Sequence, residues 1–288
     1  MNMLLEVNNL SKTFTKFHLD DISFSLPQGY IMGFIGPNGS GKTTTIKLIF
    51  NMLHRDGGEI QIMGLDAVKD EKEIKQDLGV VFDTHFFCEE WNAREVEKAI
   101  SGFYKNWDSA VYNRFLTKFH LPKDKKVKSL SRGMQMKLML ACALSHDAKL
   151  LILDEPTSGL DPIARDELLD ILGDYISDGK HSVLFSTHIT SDLEKIADYI
   201  TFIQNGKMIY SGSKDELIDD FRRVAGGPKE LTVSQKEKVI DLRENSTGFE
   251  GLIKTCDAQS FQNLQLEPVT IDEIMVAVSK GGADDEYY

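Results

Sequence analysis

The residues at 36–43, Gly36, Pro37, Asn38, Gly39, Ser40, Gly41, Lys42 and Thr43, fit the pattern G-x-x-x-x-G-K-[ST]. They follow the strand-like run YIMGFIG. They open the run TTTIKLIFNML, in which Ile46, Ile49, Phe50 and Leu53 form the stripe of a helix with one buried face. Strand, glycine loop and helix in that order give the pattern its meaning. Glycines let successive backbone N–H groups curl inward without Cβ clashes, and the start of the helix adds roughly half a positive charge at the same point. The loop therefore reads as an anion cradle suited to a polyphosphate. Lys42 is placed to reach the β and γ phosphates of a nucleotide, Thr43 offers a hydroxyl to Mg2+, and Thr44 continues the loop into the helix.

A second constellation lies downstream. The apolar run Leu150, Leu151, Ile152, Leu153 ends in two carboxylates, Asp154 and Glu155. A buried strand seldom ends this way without a use for the charge. Asp154 is expected to partner Mg2+, and Glu155 to polarise the water that attacks the γ phosphorus. The runs LLILD, SVLFST, YITFIQ and KMIYSG alternate with helical stretches near 163–176 and 191–197, the pattern of a mainly parallel sheet covered on both faces. Strand-like runs fill 4–35, Asp56-Gly57-Gly58-Glu59 reads as a turn before the strand EIQIMG, and 90–147 carries helical stripes alone. The fold class is α/β, a P-loop NTPase.

Several families share those two motifs. Leu130, Ser131, Arg132, Gly133 and Met134, just before the second motif and opening a helix, resemble the signature of ATP-binding cassette (ABC) proteins. The resemblance continues in order through Glu155-Pro156-Thr157-Ser158-Gly159-Leu160-Asp161, like a Walker B and D-loop run, and through Ser186-Thr187-His188, like a switch histidine. It covers about 5–222. It implies a RecA-like core, an antiparallel β subdomain near the N-terminus, a helical subdomain at about 84–148, and a head-to-tail dimer. In that dimer each ATP lies between one phosphate loop and the mate's Ser131, Arg132, Gly133, Met134 and Asp161. It also implies that His188 contacts the γ phosphate as a neutral imidazole, and that an aromatic side chain, Phe14 with Phe17 as its rival, stacks on adenine.

Three departures from the family pattern stand out. Asp83 occupies the place of a glutamine that serves catalysis and the metal, Arg132 and Met134 replace commoner signature residues, and 223–288 has no counterpart in the minimal cassette. Arg132 either adds charge to the phosphate site or faces solvent. The extension follows the breakpoint Gly226-Gly227-Pro228 and reads as a small α+β domain, with a strand-like ELTV, an apolar VTIDEIMVAV and an acidic tail.

Composition bounds the partners. Lys plus Arg at 33 against Asp plus Glu at 45 leaves a net charge of -12, a poor balance for a nucleic-acid binder. A basic run, Lys123, Lys125, Lys126 and Lys128, reads as a solvated linker. Cys88, Cys142 and Cys256 are too scattered for a disulfide framework, consistent with a reduced compartment. No apolar run approaches the roughly 18–20 residues of a membrane helix, so the family's permease is expected to be a separate polypeptide that holds this chain at the cytoplasmic face of the membrane. The run 131–162 together with EPVTIDEIMVAV resembles Gram-positive ABC-2 type exporters of the bacitracin-resistance and phenol-soluble-modulin kind, which implies export of an amphipathic peptide or peptide antibiotic. The competing expectation is a non-transport ABC ATPase acting on ribosomes or DNA; the long coiled coil, zinc cysteines or second cassette usual there are not seen in the sequence.

Overall fold

The computed structural model describes residues 2–281, so the acidic tail lies outside the described residues. Two antiparallel strands, β1 (Met3–Thr13) and β2 (His18–Pro27), come first, and β3 (Ile31–Ile35) then runs into the glycine loop and α1 (Lys42–Ile49). β4 (Gly57–Ile62) pairs antiparallel with β1, β5 (Leu65–Asp66) pairs with β4, and a one-turn α2 (Glu71–Ile74) leads to β6 (Leu78–Val81). The turn expected at 56–59 is a correction: Gly57 and Gly58 belong to β4, beside a register shift in β1 between Asn8 and Ser11.

Between β6 and β7 (Leu150–Asp154) the chain is helical, with α3 (Ala93–Ile100), α4 (Ser109–Lys118) and α5 (Arg132–Ala143) joined by 3-10 turns. Polar caps set each start: Asn92 makes a capping box with Glu95, the Asp108 carboxylate accepts from Ala110 and Val111 N–H, and the Ser131 hydroxyl accepts from Met134 N–H. After β7 come α6 (Pro162–Ile176), β8 (Ser182–Thr187), α7 (Thr190–Ile196), β9 (Tyr199–Gln204) and β10 (Lys207–Ser213). The larger sheet has the order β5-β4-β1-β2-β10-β9-β3-β8-β7-β6. Strands β3, β8, β7 and β6 pair in parallel, and every residue of β3, β7 and β8 is buried, as strands with both faces covered must be. Each such Leu, Ile or Val contributes about 1.5–3 kcal/mol, so the strand ends that carry the site stand on the most heavily buried part of the sheet.

The chain divides into two units, one made of residues up to His188 with Thr201–Tyr210, the other of Ile189–Ile200 with the chain from Ser211 onward. The boundary expected near 222 falls inside β11 (Phe221–Gly226), which follows α8 (Lys214–Asp219). The second unit continues with α9 (Val233–Lys236), β12 (Ile240–Glu244), β13 (Phe249–Lys254), β14 (Gln265–Glu267) and α10 (Ile271–Gly281). Its antiparallel sheet, β12-β13-β11-β14, buries Val224, Leu231, Phe249, Ile253 and Phe261. The strand expected at ELTV is absent among the described residues. Thr232 there caps α9 in a capping box with Gln235, and Leu231 enters the core from a loop. Within this unit α7 is held to α10: Ile271 N–H donates to Glu194 Oε1 at 3.0 Å and the Thr190 hydroxyl to Asp272 Oδ1 at 3.3 Å. Among the described residues no helix is long and apolar enough to cross a membrane.

Candidate functional site

The loop at 36–43 wraps the rim of a cavity of about 550 Å³. Asn38, Gly39, Ser40, Gly41, Lys42, Thr43 and Thr44 line it with Phe17, Asp83, Glu155, Ser158 and His188. Two glycines make the curl possible. A Cβ on Gly36 would meet the Ile203 carbonyl at 2.2 Å, and Gly41, at φ +118°, would drive a Cβ to 2.8 Å from Leu19. The buried Ser40 hydroxyl, on the same loop, has no hydrogen-bond partner.

Lys42 is buried. Its ammonium donates to the Gly36 carbonyl at 2.8 Å and stands 3.4 Å from Glu155 Oε1. The other Glu155 oxygen lies 2.7 Å from His188 Nδ1, so one carboxylate ties the phosphate loop to the end of β8. Glu155 is 16% exposed and His188 47%, which leaves the histidine accessible while the acid beneath it is sheltered. Glu155 also has a positive φ of 52°, a conformation that costs a non-glycine residue of order 1–3 kcal/mol. Its backbone N–H compensates by donating to the Ser186 carbonyl at 3.0 Å and to Ser186 Oγ at 3.2 Å.

Asp154 is 3% exposed. Its two oxygens accept from hydroxyls, Thr43 at 2.9 Å and Ser186 at 2.6 Å. A buried carboxylate with a hydroxyl at its side and a polyphosphate loop beyond it is a set of hard oxygens that fits Mg2+. Ser186 enters the sequence reading only as the start of the run that ends in His188. It anchors both acids from the neighbouring strand, where the parallel register of β7 and β8 sets Asp154 opposite Ser186.

Phe17 lines the cavity and Phe14 does not, although the rings are 6.3 Å apart. The turn closed by Phe14 N–H to the Phe17 carbonyl, 2.8 Å, brings Phe17 back toward Gly41. Ser131, Gly133, Met134 and Asp161 also lie outside the cavity lining. Asp161 caps α6, and the N–H groups of Ala164 and Ile163 hold its carboxyl below the usual range. Arg132 opens α5 and is ion-paired with Asp83. The basic run is partly paired as well: Lys126 and Lys128 both contact Glu90, and their hydrogen bonds push its carboxyl down to about 2.

A glycine loop at the end of a parallel strand, a buried Asp followed by a sheltered Glu at the end of the next but one, and a lysine between them define a P-loop nucleoside triphosphatase. The family model described as ABC transporter matches residues 19–158. The ABC transporter ATP-binding protein YhcH of Bacillus subtilis (strain 168) is 35% identical over 228 residues, 76% of this chain and 73% of that protein. The bacitracin transport ATP-binding protein BcrA of Bacillus licheniformis is 31% identical over 248 residues, 85% of this chain and 79% of that one. A solved ATP-binding subunit of an ABC transporter superposes with a TM-score of 0.68 at 30% identity, covering 74% of this chain and 91% of that chain. The chain belongs to the ABC transporter ATP-binding proteins: it is the ATP-binding subunit of an ABC transporter, and an ATPase. Subunits of this family work with a separate transmembrane permease.

Proposed function

We infer that this subunit pairs head to tail with a second nucleotide-binding domain around two MgATP and drives a permease that exports an amphipathic peptide or peptide antibiotic. The observation that carries the hydrolytic part is the Glu155 carboxylate held between Lys42 and His188 at the mouth of the cradle. A base so placed takes a proton from the water attacking the γ phosphorus, a contribution of about 10²- to 10⁴-fold in rate. Lys42, the N–H groups of the loop and the start of α1 bind the β and γ phosphates. Thr43 and Asp154 would hold Mg2+, with Asp83 a further candidate. The ion, when bound, neutralises phosphate charge and polarises the group being transferred. His188 keeps Glu155 in place and contacts the γ phosphate, while Phe17, with Phe14 beside it, offers adenine an aromatic face.

Ser131, Arg132, Gly133, Met134 and Asp161 do not line the chain's own cavity, which supports their facing the nucleotide of a mate. The capped start of α5 is a second end rich in backbone donors. The permease has a candidate seat beside Asp83, a groove of about 150 Å³ lined by Val80, Phe82, Phe86, Ile100, Tyr104 and Met139. Phe86 and Phe103 are 72% and 75% exposed, which a docking surface accounts for. The bacitracin transport relative supports the peptide cargo.

Light scattering on the Glu155→Gln subunit saturated with MgATP tests the dimer. A species of twice the monomer mass is expected, and a strictly monomeric protein even beside its permease overturns the arrangement. The cargo is tested in lipid nanodiscs, where amphipathic peptides are expected to stimulate ATP turnover by the assembled complex. No stimulation, together with unchanged peptide secretion after deletion of the subunit, overturns the cargo assignment.

A further inference from the structure

Two positions at which this sequence departs from the family pattern are partners of each other. The Arg132 guanidinium, at the start of α5, is paired with the carboxylate of Asp83 in the segment after β6. Both side chains are half-exposed, Arg132 at 53% and Asp83 at 48%, so either can change partner without leaving water. The rest of the Arg132 side chain lies against the turn that follows Glu155. A Cβ on Gly159 would stand 3.6 Å from Arg132 Cδ, and one on the neighbouring Gly133 3.1 Å from Leu160. Arg132 thus spans two segments flanking the cavity, the Asp83 segment that lines it and the turn at 155–160.

Electrostatics makes the pairing consequential. Asp83 places a carboxylate in the lining of a cavity built for a triphosphate, where a bare negative charge opposes the ligand. Arg132 neutralises it. In the head-to-tail arrangement the guanidinium also faces the nucleotide of the mate, and a planar fork of donors pairs with phosphate oxygens as readily as with carboxylate. We propose that Asp83 and Arg132 form an exchangeable ion pair: the mate's phosphate draws Arg132 away, freeing Asp83 to turn toward the divalent cation that a triphosphate brings to its own site, so that filling one site readies the other. Toward its own site Arg132 is a positioning residue that acts through Asp83. The coupling rests on the sandwich dimer described above, whereas the pair itself belongs to the single chain.

The two parts are tested separately. In the nucleotide-free monomer, hydrogen exchange of the amides at 83–87 reads the restraint. Arg132→Gln is expected to speed that exchange by roughly 1.5- to 5-fold, the range an exposed ion pair spans. High salt is expected to do the same to the unaltered chain, and the swapped pair Asp83→Arg with Arg132→Asp to restore slow exchange. Exchange unchanged by Arg132→Gln and by salt, or left fast in the swapped pair, overturns the pair. The coupling is read from ATP-driven dimerisation in a Glu155→Gln background. Asp83→Asn removes a contact that dimerisation must break, so half-association is expected at an ATP concentration lowered by roughly 1.5- to 5-fold, and that gain is expected to vanish when Arg132→Gln is also present. An equal effect of Asp83→Asn in both backgrounds marks Asp83 as acting without Arg132 and overturns the coupling. Absence of a dimer in every variant overturns the coupling together with the sandwich reading, and leaves the exchange result to decide the pair.

Discussion

Glu155→Gln is the sharpest perturbation available, because it changes charge and proton affinity and almost nothing else. Glutamine has the same length and the same backbone cost at the positive φ of 52°, and the two anchors from Ser186 reach the backbone rather than the side chain. The backbone of the site should therefore be unmoved, although the nucleotide-free fold loses the attraction between Glu155 and the buried Lys42. What is lost is a carboxylate 3.4 Å from the Lys42 ammonium and 2.7 Å from His188 Nδ1. An amide cannot take a proton from water, so kcat is expected to fall by about 10² to 10⁴, an increase of about 2.7 to 5.4 kcal/mol in the barrier. Affinity should move the other way. Lys42 no longer has to leave a partner whose attraction, at an effective dielectric of about 20, is on the order of a few kcal/mol, so ATP binds as well as before or better. Phosphate release measured alongside calorimetric binding separates the two. A turnover within tenfold of the unaltered enzyme, or a loss of binding in place of turnover, would refute the reasoning.

Lys42→Ala should act on the opposite quantity. Losing a charged donor to phosphate, worth about 1.5–3 kcal/mol, raises the ATP dissociation constant by about 10- to 150-fold, and an unchanged constant by calorimetry would count against the cradle. Ser186→Ala removes the hydroxyl that donates to Asp154 and receives the Glu155 N–H. With both groups sheltered, about 1–3 kcal/mol of stability and part of kcat should be lost together, seen as a melting temperature lowered by several degrees. His146 gives a pH test. Burial holds its imidazole below the ordinary 6.5, against the pull of the Leu78 and Cys142 carbonyls. The unfolded chain thus takes up a proton below pH 6.5 that the folded chain refuses, and unfolding free energy falls with pH there by at most about 1.4 kcal/mol per unit. Urea titrations should show that His146→Gln is less stable at pH 7 yet loses less on acidification; parallel curves would remove His146 from the account.

The cradle and the two carboxylates were legible because each is encoded within a few consecutive residues. Lys42 and Thr43 follow a strand, and Asp154 and Glu155 end one, so chain order alone brings them to one end of a parallel sheet. What stayed hidden depends on residues far apart in sequence. The positive φ of Glu155 exists because Ser186 holds its N–H from the next strand. Phe17 displaces Phe14 at the cavity because of one turn's hydrogen bond. The pairing of Asp83 with Arg132 crosses from a strand end to a helix cap, and nothing in either local pattern announces it. In the second unit, apolar and β-branched content at ELTV suggested a strand, whereas Thr232 and Gln235 three residues apart spelled a helix start.

The chain passes directly from the imidazole of His188 into the second unit, stays there for Ile189–Ile200, and only then returns. The extension is consequently stitched in rather than strung on. Trimming the protein at residue 222 to obtain a shorter cassette would leave α7 behind without Ile271 and Asp272, its hydrogen-bond partners on α10. The loose thread so created begins one peptide bond past the histidine. An apparently dispensable tail is in this molecule what holds α7 in place.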